Sequence, residues 1–170
     1  MFEYEVPGLV SPIAQPYTMA CWATVSTSMI SWHDSTSYTI EEVMDKVGSK
    51  YRKIYEDNTG LFPVDTPELL QKLTLVAEPS GINYSVDGWL TLLQNYGPLW
   101  ITVAPNPNEP WSMHAIIVIG LSSDDTVTGT IFKVIDPADG SIKDIVLTDM
   151  VKVFEAIASV EEIVIQVCHF

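Results

Sequence analysis

Positive charge is scarce in this chain: eight lysines and arginines face 22 aspartates and glutamates, a formal net charge of −14 at pH 7. A field of that sign repels phosphate backbones and anionic lipid heads, so neither nucleic acid nor a membrane surface is expected as a partner. Neutral or basic peptides are steered in more readily. Cysteine is scarcer still. Cys21 and Cys168 are too few for a secreted disulfide scaffold and lie in unlike surroundings, so both read as free thiols. Neither the cysteines nor the three histidines show the paired spacing of a zinc site. A glycine-rich phosphate loop and a dinucleotide fingerprint are missing as well, so no metal and no cofactor is expected. Long apolar runs are absent: the longest, Ala115 to Leu121, is too short to span a bilayer. The first residues carry Glu3 and Glu5 where a signal peptide needs a basic start. Synthesis in the cytoplasm is therefore expected, with export by a route that needs no cleaved leader left open.

What is present is a core. Hydrophobic residues make up 47% of the 170 and charged ones only 18%, which places the chain among globular proteins. The length fits a single domain, 1–170, with a helical lobe over about 15–97 and a β lobe over about 98–170. An extended arm with Pro7, Pro12 and Pro16 leads into a helix from Cys21 to about Trp32. The small residues Ala23, Thr24, Ser26, Thr27 and Ser28 let that helix pack closely on several sides. Thr39 with Glu42 forms a capping-box pattern, and Gly48 closes the short helix that follows. Thr66-Pro67 opens another helix, and Ser85 caps one that stops at Gly97-Pro98. Lys46, Lys50, Arg52 and Lys53 read as a solvated helix face.

Beyond Gly97 the character changes. Leu99–Val103, Ala115–Leu121, Thr130–Ile135, Ile142–Leu147 and Glu162–Val167 are rich in β-branched and aromatic residues and bounded by turns. Helices followed by strands make an α+β arrangement.

The chemistry centres on Cys21, where the arm turns into the helix. Unpaired N–H groups and the positive dipole end favour a thiolate there and can hold an oxyanion. Gln15, six residues earlier on the arm, can present its side-chain amide to the same oxygen, completing an oxyanion hole with the Cys21 N–H. A lone cysteine is more often a small buried hydrophobe, so the base has to be found. His33 lies twelve residues along the same helix, roughly 18 Å up its axis and out of reach. Nothing near His169 in sequence fixes its tautomer. His114, at the head of an apolar strand after the proline loop 105–110, remains. A hairpin loop centred near Asp125 sets Asp136 directly across from His114, where its carboxylate holds the second ring nitrogen. Asp124, Asp125 and Asp139 are rival carboxylates, all in turns.

The segment Gln15-Pro-Tyr-Thr-Met-Ala-Cys21-Trp22-Ala23 resembles the active-site signature of papain-like cysteine peptidases. There, glutamine precedes cysteine by six residues and tryptophan follows it. His114 with its strand and Asp136-Pro137 are similar to the histidine and aspartate motifs of the small bacterial members. Those members include the leader-peptidase domains of bacteriocin exporters and the effector proteases of plant pathogens. The order Gln, Cys, His, Asp agrees over residues 15 to about 140. Aspartate stands where papain has asparagine, and neither disulfides nor a long pro-segment is expected. The resemblance implies a cleft between a helical wall and a sheet wall, a peptide or protein substrate, and peptide or isopeptide hydrolysis through a thioester. It implies a packing role for Trp22. Trp111 either roofs the histidine or is an ordinary loop aromatic, and Met19 and Tyr17 are placed on the cleft floor. Deamidation, transglutamination or cleavage of cell-wall peptides would use the same machinery, and a degenerate fold would bind peptides without cutting them. Oligomeric state is left open.

Overall fold

A computed structural model describes all 170 residues. In chain order the elements are β1 (Phe2–Glu5), α1 (Cys21–His33), α2 (Ile40–Val47), α3 (Ser49–Asp57), α4 (Thr66–Leu73), β2 (Val76–Ala77) and α5 (Val86–Tyr96). Then follow β3 (Leu99–Val103), β4 (His114–Ser123), β5 (Ile131–Asp136), β6 (Ser141–Val146), α6 (Leu147–Glu155) and β7 (Val167–His169). The strands form one antiparallel sheet of seven, ordered β2-β7-β3-β4-β5-β6, with β1 paired to the far end of β4. The class is α+β.

The sheet is covered on both faces, which explains why β4 reads as an unbroken apolar run rather than an alternating one. Ala115, Ile117 and Ile119 pack with α1 to α4, while Ile116 and Val118 pack with Trp89 and Leu93 of α5 and Met150 and Phe154 of α6. Leu121 breaks the parity and joins the second group. A register shift between Val118 and Gly120 inserts one residue and turns every later side chain over.

Helix α1 is central. Residues Trp22 to Ser31 are all buried, so no polar stripe faces water. Its buried hydroxyls are satisfied locally: Thr24 Oγ1, Ser26 Oγ and Thr27 Oγ1 donate to the carbonyls four residues back at 2.7–2.9 Å. Ser28 Oγ instead donates to Ser11 O at 2.8 Å, fastening the N-terminal arm to the helix. Small side chains thus allow close approach without orphaned hydrogen-bonding groups.

Several boundaries follow the local signals. Thr39 accepts from the Glu42 N–H while the Glu42 carboxylate accepts from the Thr39 N–H, the reciprocal cap the sequence predicts. Ser85 caps α5 by accepting from the Gly88 N–H at 3.1 Å. Other segments differ. The start of the arm is strand β1, not merely extended, because it finds partners at Gly120–Ser123. The last strand is Val167–His169 rather than 162–167, since Glu161 to Ile163 are exposed and pairing begins only where the chain meets β3. Leu147, expected to end the strand 142–147, instead opens α6, and residues 148–155, for which the sequence suggested no element, continue it. The basic run 46–53 is neutralised in place: Lys46 meets Asp34, Lys50 meets Asp65 and Glu68, Arg52 meets Asp45 and Glu56, and Lys53 meets Asp57. No helix is long and apolar enough to cross a membrane.

Candidate active site

Cys21 is the first residue of α1, preceded by Ala20, which has no side-chain acceptor to cap the helix. The first-turn N–H groups therefore keep their hydrogen-bonding capacity and their partial positive charge. The Cys21 thiol is partly exposed, on a cleft of about 570 Å³ that Gln15, His114 and Asp136 also line. Residues 59–63 and Met19 line it from the helical half of the chain, and Trp100, Trp111, Met113 and Ile165 from the stranded half. The lining is mostly apolar.

His114 opens β4, with its side chain 17% exposed. Its Nε2 donates to Asp136 Oδ1 at 2.7 Å, which leaves Nδ1 as the nitrogen open to the cleft that the ring shares with Cys21. Burial disfavours the imidazolium, but the hydrogen bond and charge of Cys21, followed by those of Asp136, outweigh it and raise His114 above its ordinary value. The site favours a charged ring.

The contact with Asp136 is as expected, but the register that produces it is not. In the hairpin, Ile117 pairs with Ile135 and Val118 with Val134, so the ladder runs toward Ala138, not Asp136, as the residue across from His114. The loop is centred later than Asp125, and the extra residue near Ile119 takes back part of that displacement. The net shift is two residues. An even shift keeps both side chains on the same side of the hairpin, and the diagonal pair remains within reach.

Asp136 is held on every side. Besides His114, Oδ1 accepts from the Ala138 N–H at 2.9 Å, and Oδ2 accepts from Lys143 Nζ at 2.9 Å. Burial works against the carboxylate, yet the bonds from His114, Lys143 and Ala138 bring it down to about 2. The rival aspartates are engaged elsewhere. Asp139 accepts from Ser141 N and Oγ, Asp124 from Thr126, and Asp125 from the Met1 amine. Lys143 is the polar member that sequence reasoning missed. The turn that pairs Asp136 with Ser141 puts Lys143 diagonal to Asp136, a signal visible once that turn is placed.

Gln15 sits on the arm with its own N–H donating to Pro137 O at 2.7 Å, so the arm is tied to the turn that carries Asp136. Its Nε2 donates to Thr18 O at 2.9 Å, and its Oε1 is buried without a partner. A carbonyl is an acceptor only, which fixes which end of the amide is nitrogen and leaves one N–H free. Gly140 holds this junction open. It has φ +69°, and a Cβ there would lie 2.7 Å from Ala14 N. Gly140→Ala is expected to destabilise the fold by about 1–3 kcal/mol and to lower turnover beyond the loss of folded protein, by displacing Gln15. Thermal melts and rates on the folded fraction would check this; a lowered melting temperature with an unchanged rate on the folded fraction would show the arm has not moved.

The remaining candidates lie apart. His33, at the other end of α1, bonds Asp34 at 3.0 Å and stacks on Phe170. His169 is held more firmly than its sequence neighbours suggest: its ring meets Glu78 at 2.8 Å and the Phe170 main-chain oxygen at 3.0 Å, with Tyr96 stacked on its face. Cys168 is 1% exposed, and burial pushes its thiol far up. Trp22 touches the cleft but is 3% exposed and packs edge-on against Tyr51. Trp111 and Met19 line the cleft, whereas Tyr17 packs on Tyr55. No group of three or more His, Cys, Asp or Glu is placed to hold a metal ion.

Residues 2–156 match the family described as papain-like cysteine protease AvrRpt2. No curated protein matches the chain. The match covers most of the sequence, so the chain belongs to that family and is a cysteine-type peptidase acting on protein substrates.

Proposed function

We propose that this member of the papain-like cysteine protease AvrRpt2 family hydrolyses peptide or isopeptide bonds with Cys21 as nucleophile, His114 as acid and base, Asp136 as the group orienting the ring, and Gln15 in the oxyanion hole. One observation carries the reading: the His114 ring, bonded to a carboxylate fixed by three donors, lines the same cleft as the Cys21 thiol, which stands at an uncapped helix start.

In this mechanism the thiolate of Cys21, paired with the His114 imidazolium, attacks the scissile carbonyl carbon. The carbonyl oxygen becomes an oxyanion, met by the Cys21 N–H and the free N–H of Gln15 Nε2. As the C–N bond breaks, His114 gives its proton to the leaving amine, and a thioester to Cys21 remains. Water then attacks the thioester carbonyl, losing a proton to His114. The C–S bond breaks, releasing a carboxylic acid and restoring the ion pair. Deamidation and transfer reactions share every step up to the thioester and differ only in the amine lost or the acceptor gained.

A cysteine-directed electrophile with a fluorescent tag tests the assignment. The folded protein is expected to take up one equivalent at Cys21 at neutral pH, located by peptide mass, with Cys168 unmodified. Faster labelling of Cys168 would mean that the nucleophile is misassigned.

A further inference from the structure

The loop that leads into Cys21 is short, exposed and bonded twice to the residue that caps α3. Asn58 ends that helix in the left-handed region, at φ 50° and ψ 43°, a conformation asparagine tolerates better than most residues. Its side chain does not turn back to its own helix. Oδ1 accepts from the Met19 N–H at 2.8 Å, and Nδ2 donates to Thr18 Oγ1 at 3.0 Å. Both ends of one amide are thus spent on the two consecutive residues Thr18 and Met19, which stand 40 and 39 positions earlier in the chain.

Neighbouring groups press on the same loop. The Tyr17 ring packs on Tyr55, one turn before Asn58, with centroids 5.2 Å apart. Gly60 has φ +80°, and a Cβ there would lie 2.9 Å from Met19 Cε. From the other side, Thr18 O is the acceptor that holds Gln15 Nε2 at 2.9 Å. The connection is continuous: Asn58 fixes Thr18, and Thr18 fixes the Gln15 amide. Met19 in turn is separated from Cys21 by Ala20 alone.

We propose that Asn58 is a positioning residue for catalysis, clamping the 18–19 loop so that the Gln15 amide is held where the oxyanion forms. The inference rests on the reading of Gln15 as an oxyanion donor. It assigns Asn58 no contact with substrate. Its effect belongs on the rate of the chemical step rather than on binding, because a misdirected donor is felt most where charge develops.

Asn58→Gly is the informative variant, since glycine keeps the left-handed backbone and removes only the amide. It is expected to lower kcat by about 10-fold to 100-fold with KM changed by less than about twofold. Asn58→Asp keeps the acceptor for Met19 and is expected to recover part of that loss. In a Gln15→Ala background, Asn58→Gly is expected to cause no further fall in kcat. Should Asn58→Gly fold poorly by circular dichroism, Thr18→Val removes the hydroxyl that Nδ2 meets and should show a smaller loss, again absent without Gln15. If Gln15→Ala keeps wild-type kcat, the oxyanion reading fails and this proposal with it. If Gln15→Ala lowers kcat while Asn58→Gly and Thr18→Val do not, or while their effects multiply in full with it, Gln15 stands and the positioning role of Asn58 is overturned.

Discussion

Asp136→Ala is expected to lower kcat by about 10²–10³-fold while Asp139→Ala stays near wild type. The contrast follows from what each carboxylate touches. Asp136 is the partner of His114 Nε2 at 2.7 Å, with its side chain 20% exposed. Asp139 is 56% exposed and engages Ser141 and Lys143 instead. Removing Asp136 frees the ring to rotate, loses the tautomer that points Nδ1 at the thiol, and removes a charge that favours imidazolium. The pH profile gives the sign. His114 is raised in part by Asp136, so without it the imidazolium loses its proton at lower pH, and the alkaline limb of kcat/KM should move down. The acidic limb does not report Asp136 itself, because that carboxylate, held near 2, stays ionised through the range. Cys21 should still react with iodoacetamide in the variant, since the thiol and ring remain neighbours. If Asp139→Ala abolished turnover and Asp136→Ala spared it, the orienting role given to Asp136 would be wrong.

The same pair shows how far the sequence could be read. Period-two alternation ties His114 and Asp136 to one side of a hairpin, and that survives any even error in register. The length of a turn and the position of a bulge are set by tertiary contacts, and both were out of reach. Signals confined to one turn of chain were legible: the Thr39–Glu42 cap, the Ser85 cap, the Cys21 helix start and the Leu99–Val103 strand. Long-range partners were not. Phe2–Glu5 becomes a strand only because Gly120–Ser123 lies beside it. His169 acquires its fixed ring from Glu78, 91 positions away, and from Tyr96. Ile163 to Ile165 have strand composition, yet Ile163 is 83% exposed, since β-propensity without a neighbouring ladder decides little. Lys143 and Asn58 carry ordinary surface chemistry, and only the fold brings one to Asp136 and the other to the loop before Cys21.

Gln15→Ala is expected to lower kcat by about 10²–10³-fold, equivalent to roughly 3–4 kcal/mol of transition-state stabilisation, with KM nearly unchanged. The free N–H of Nε2 meets no charge in the ground state and acts only once the carbonyl oxygen becomes an oxyanion. Stability should move little, and the structure says why. The side chain makes one hydrogen bond, to Thr18 O, and leaves Oε1 buried with no partner. Burying an unsatisfied acceptor costs about 1–3 kcal/mol, so deleting the amide removes a penalty along with a bond. The arm itself is held by main-chain contacts that alanine retains, chiefly the Gln15 N–H on Pro137 O at 2.7 Å. A residue kept for folding would show the reverse: a lower melting temperature and an unchanged rate on folded protein. Steady-state rates beside a thermal melt therefore separate the two roles in one preparation. A melting temperature that falls by many degrees with kcat intact would make Gln15 a structural strut and leave the Cys21 N–H as the oxyanion's donor.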